Sequence, residues 1–132
     1  MKNLLLALLS ILLLTACVTN QDSSNLALDN GNKWHVNTEM KPHLEQENLI
    51  LEDYISQGRT DHLALAEALK AQNGTLIKSC TMKGESHDQL HKWLHPHMML
   101  IDELAKADDA EEAKIVVTQL TESFVVYARF FE

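Results

Sequence analysis

Asp109–Phe131 reads DAEEAKIVVTQLTESFVVYARFF, and its apolar residues decide the fold class. Ala113, Val117, Leu120, Phe124, Tyr127 and Phe131 follow one another at intervals of four and three. That spacing keeps them on one face of an α-helix, because residues three and four apart lie on the same side. Asp109 and Glu112 stand three apart at its start, the arrangement in which side-chain oxygens cover unpaired helix N–H groups. The stretch is therefore an amphipathic helix that needs partners to cover its apolar face.

The same period recurs upstream. Met40, Leu44, Leu51 and Ile55, widened by Leu49, Ile50 and Tyr54, predict a first helix over about Thr38–Gln57. Thr38 is its expected N-cap, Pro42 falls near the first turn, and Gly58 ends it. Thr60 is expected to cap a second helix through about Gln72, burying Leu63, Leu65, Ala66 and Leu69 and stopping at Asn73-Gly74. Ser86 and Gln89 look like a capping pair for a third helix, about His87–Ala107, with Leu90, Trp93, Leu94, Leu100, Ile101 and Leu104 on its apolar side. Residues 75–85 read either as an irregular connection or as one extra helical turn. No β-type alternation of useful length occurs. Four such helices joined by short loops predict an all-α, antiparallel four-helix bundle over residues 34–132. Trp34 and Trp93 are expected core anchors.

The N-terminus has a different character. Lys2 precedes an apolar run, Leu4–Leu14, too short to cross a bilayer as a helix, which takes roughly 20 residues. The run closes on Leu14-Thr15-Ala16-Cys17, which resembles the lipobox of bacterial lipoprotein precursors. The resemblance implies that residues 1–16 are a cleaved signal peptide and that Cys17 carries the lipid. It also implies two or three acyl chains on Cys17, where a single chain gives only marginal attachment. Val18 stands where an Asp favours inner-membrane retention in enterobacterial lipoproteins, which leans toward the outer membrane, facing the periplasm. Residues 17–33 are then the lipidated Cys and a polar tether, whose flexible chain would span roughly 20 Å.

The whole chain carries 11 Lys and Arg against 19 Asp and Glu, a formal net charge of −8. Loss of the leader with Lys2 makes it one unit more negative. Nucleic acid is excluded as a partner, because condensation on phosphates needs clustered cations. Anionic lipid surfaces repel such a chain, so membrane attachment falls to the acyl chains.

The chemistry concentrates in one region: Cys80, Met82, His87, His91, His95, His97, Met98 and Met99. His87, His91 and His95 recur every four residues, placing their rings on successive turns of one helix edge. Two histidines four apart can share a metal ion, as in the zinc-protease helix, but the Glu that serves as base there is missing between His91 and His95. Cys80 and Met82 add soft donors upstream, so the expected ligand set is Cys80, Met82, His87 and His91 with His95 or Met98, favouring Cu(I), with Zn(II) open through Cys and His alone. A solvated histidine edge, and ordinary burial for the lone Cys80, are the plainer alternatives. His97 falls mid-face and reads as a hydrogen-bonded core residue. Pro96 removes one helical hydrogen bond and should bend the third helix. No phosphate-cradling glycine loop and no C-x-x-C-H haem motif are present. The functional expectation is metal binding for storage, tolerance or delivery. The alternative is a non-catalytic interaction module that recruits an envelope protein, and an enzyme ranks third.

Overall fold

The computed structural model of the protein describes residues 25–132. The proposed leader, Cys17 and the first part of the tether lie outside them. Four α-helices follow in order: α1 Lys41–Ser56, α2 His62–Ser79, α3 Gly84–Leu104 and α4 Ala110–Phe130. Short loops make successive helices antiparallel neighbours. α1 packs on α2, α2 on α3 and α3 on α4, while α1 only lightly touches α4. The all-α bundle is the fold that the periodicity predicts. No helix among the described residues is long and apolar enough to cross a membrane.

The helix ends separate two kinds of start. Asp109 caps α4, accepting hydrogen bonds from Glu111 N and Glu112 N at 3.0 and 2.9 Å, while the Glu112 carboxylate accepts from Asp108 N at 2.8 Å. The other expected caps are not used. α1 begins after Met40, which has helical backbone angles and makes no side-chain cap, and Thr38 contributes only its carbonyl to Lys41 N. At α2 the flanking residue is Asp61, whose carboxylate is held by Arg59 instead of the helix N-terminus. α3 opens at Gly84, whose φ of +68° suits glycine, after an extended Lys83. Gln89 is thereby drawn away from any capping role: its Oε1 accepts from Ala27 N at 3.0 Å.

α2 does not stop at Gln72 but runs through Asn73-Gly74 to Ser79. A helical glycine costs about 1 kcal/mol against alanine. Continuing the helix places Leu76 in a fully enclosed position, and burying a leucine side chain gains about 1.5–3 kcal/mol. Packing outweighs the local stop signal. The ambiguous stretch therefore shrinks to residues 80–83. α3 likewise remains one helix through Pro96.

Order begins earlier than Trp34. Asn25–Ala27 lies against the bundle, with Leu26 partly buried and Ala27 O accepting from Trp34 Nε1 at 2.6 Å, while Leu28–Lys33 is exposed. Trp34 and Phe131 then form a short parallel bridge that ties this segment to the end of α4. Both tryptophans are enclosed, and Trp93 Nε1 donates to Ser123 O at 2.8 Å.

The apolar core falls into two clusters. One gathers Leu51, Tyr54, Leu65, Leu69, Leu100, Leu104 and Leu120 toward the α1–α2 and α3–α4 turns. The other gathers Trp34, Met40, Leu44, Leu76, Leu90, Trp93 and Phe131 at the opposite end. Phe124 packs against both. Three residues expected inside are instead exposed: Leu49, Ile55 and Leu63.

Candidate functional site

Between the two clusters, each of the first three helices supplies a buried polar residue. On α1 it is Glu47, between Leu44 and Leu51; on α2 Asn73, between Leu69 and Leu76; on α3 His97, between Leu94 and Leu100. Glu47 and His97 are 0% exposed. His97 Nε2 lies 3.1 Å from Glu47 Oε1, and His97 Nδ1 lies 2.8 Å from Ser123 Oγ of α4. The imidazole stacks on Trp93 and meets Phe124 edge-on, with centroids at 4.8 and 4.9 Å. Glu47 Oε2 and Asn73 Oδ1 have no hydrogen-bond partner. Serine, histidine and glutamate stand in series here, with the imidazole and the carboxylate enclosed and Ser123 partly buried. The sequence reading of His97 as a hydrogen-bonded core residue is met. Its partner Glu47 was not anticipated, although it fills the three-and-four slot between Leu44 and Leu51.

The outer edge of α3 is the chemically available feature. His87 Nε2 and His91 Nε2 stand 3.1 Å apart, with ring centroids at 4.3 Å and planes at 60°. His95 follows one turn later at 5.4 Å from His91. His87 is half-buried, while His91 and His95 are exposed. Burial first, then the neighbouring rings of His87 and His95, hold the His91 imidazole below the ordinary histidine pKa, with Asp88 acting weakly the other way. A neutral ring is the form that offers a lone pair. At 3.1 Å the two nitrogens either share one proton in a hydrogen bond or present two lone pairs to one ion. Two bonds of about 2.0–2.1 Å at a tetrahedral angle to a shared ion would hold their nitrogens roughly 3.3 Å apart, a small opening from the observed separation.

The other expected donors lie elsewhere. Cys80 flanks the end of α2 in extended conformation, and its half-buried thiol packs with Met82 on the second apolar cluster. Burial of two soft, apolar sulfur groups accounts for that placement. Met98 and Met99 are 37% and 59% exposed. Asp102, on the same stripe, is engaged by Lys70 at 3.1 Å. Among the described residues, no three or more His, Cys, Asp and Glu side chains are grouped so as to hold a metal ion. The structure thus brings His87 and His91 together and keeps His95 adjacent, while Cys80 and Met82 pack on the second apolar cluster.

One further concavity exists where α1 and α4 diverge, a groove of about 360 Å³ over Leu44, Phe124 and Tyr127. Burial beside it raises the Tyr127 phenol from its ordinary 10.0 to about 12. Comparison of the chain with family models, with curated proteins and with solved structures finds no match.

Proposed function

We propose that the protein is a lipid-anchored, periplasm-facing bundle that binds a transition-metal ion at the His87–His91 edge of α3. The 3.1 Å separation of the two Nε2 atoms carries the reading. Imidazole donors without thiolate suit Zn(II) or copper in either state, so the site is less restricted to Cu(I) than one including Cys80. His95 is the next imidazole along the same edge. A surface pair of this kind exchanges its ion readily, which fits delivery or buffering better than storage. The lipobox resemblance supports the anchoring, with Cys17 as attachment point and the outer membrane as location.

Titration of the full chain in detergent with Zn(II), Cu(II) and Cu(I) tests the site. Replacing both His87 and His91 by Ala should weaken binding at least roughly tenfold, about 1.4 kcal/mol. A Cys80→Ser, Met82→Leu variant should bind as the parent does. Undiminished binding in the His variant, or none in the parent, ends the metal reading. The exposed Met98 and Met99 favour the second reading, an apolar contact patch for an envelope protein.

A further inference from the structure

We infer that the His87–His91 edge is half of a metal-bridged interface between two copies of this chain. The inference rests on the metal reading of that edge and adds its partner. Four-coordinate zinc in stable protein sites takes four protein donors. One copy offers two nitrogens at bridging distance, with a third ring a turn away, and no larger group of donors is assembled among the described residues. Among the described residues of one chain the shell is therefore incomplete. A second copy supplies the same pair, and a two-fold axis through the ion would make both halves equivalent, the commonest symmetry of soluble oligomers.

The surroundings suit such a contact. At 100° per residue, Met98 falls on the same stripe as His87 and His91, and it is exposed beside the still more exposed Met99. These side chains supply the apolar surface that two crossing α3 helices would cover. His91 and His95 are exposed, so the edge is open to an approaching chain.

Charge makes the contact conditional. Each copy carries a formal net charge of −8, so two copies repel one another without a cation between them. The metal ion supplies both the missing bonds and local positive charge. Association then follows metal availability, and removing the ion separates the copies. If both copies are lipid-anchored, confinement to one surface raises their effective concentration and lowers the affinity the bridge must supply.

Two tagged forms of the full chain, one Strep-tagged and one FLAG-tagged at the C-terminus, are co-expressed and extracted in detergent. Capture on the Strep tag is measured with added Zn(II) and with EDTA, and bound zinc is counted by mass spectrometry. The expected result is co-capture with Zn(II), one ion per two chains, and loss in EDTA. The His87→Ala, His91→Ala variant should lose co-capture while keeping the parent's circular dichroism. One ion per chain without co-capture overturns the bridged pair and leaves metal binding standing. No retained zinc overturns both. Co-capture that persists in EDTA or in the His variant places the contact on another surface and overturns the inference.

Discussion

Glu47 and His97, fifty residues apart in the chain, meet at 3.1 Å with neither side chain reaching solvent. The pair joins α1 to α3 across the middle of the bundle, and Ser123 extends it to α4. A buried ionic or hydrogen-bonded pair is weak evidence for stability, because desolvation offsets its attraction, but removing one partner strands the other. We take the Glu47–His97–Ser123 series to fix the register of α1, α3 and α4, because these hydrogen bonds form only when those three helices are aligned.

Glu47→Ala should destabilise the bundle by about 3–5 kcal/mol in urea unfolding, since it leaves His97 without its carboxylate and opens a cavity. The Glu47→Leu, His97→Leu double variant should recover most of that loss. If Glu47→Ala costs less than about 1 kcal/mol, the pair does not hold the helices together.

The caps give a paired test at the surface. Asp109→Ala removes the carboxylate oxygen that accepts from both Glu111 N and Glu112 N and should cost about 1 kcal/mol. Thr60→Ala should change stability by less than about 0.5 kcal/mol, because Asp61 and not Thr60 flanks α2. Equal losses in denaturant melts would contradict the observed helix starts.

Trp34 pins the N-terminal segment through Ala27 O and packs in the second cluster. Trp34→Ala should cost about 3–5 kcal/mol. It should also open residues 25–33 to limited proteolysis before the helices are cut. Simultaneous cleavage throughout the chain would show that this segment is no separate unit of stability.

Tyr127 sets an alkaline limit. Its phenol is raised by burial to about 12, so the folded protein favours the protonated form. The contribution is complete below the unfolded value of 10.0 and is lost as pH rises through about 12. The loss is on the order of 1–2 kcal/mol after allowing for partial exposure. Tyr127→Phe should flatten most of this decline in thermal melts between those values, leaving the smaller part due to Tyr54, which burial also raises.

A metal held at the proposed His87–His91 site should be released by acid. Binding needs neutral imidazoles, so affinity falls as pH drops through the histidine range. Because His91 is held below the ordinary value, its proton competes only at lower pH than that of a free histidine. Proton NMR of the His91 ring in the metal-free chain should give a midpoint below 6.5, the ordinary value. A midpoint at or above it would remove this protection.

Much of the bundle is legible in residue spacing. The apolar faces of α3 and α4, the Asp109 cap and the enclosed His97 follow from patterns within single helices. The α3 histidines are likewise placed together by a spacing of four. Cys80 and Met82 illustrate where such reasoning ends: their packing on the second apolar cluster depends on neighbouring elements that spacing does not record.

The sequence by itself determined the number of helices, their antiparallel order and the presence of a histidine edge, because helical periodicity and loop length are local properties. Only the tertiary structure decided that α2 continues past Gly74, that Leu49, Ile55 and Leu63 stay outside, and that Glu47 and Asn73 lie within. Those outcomes depend on what neighbouring helices cover and which polar groups they offer, and a single helix carries no record of its neighbours.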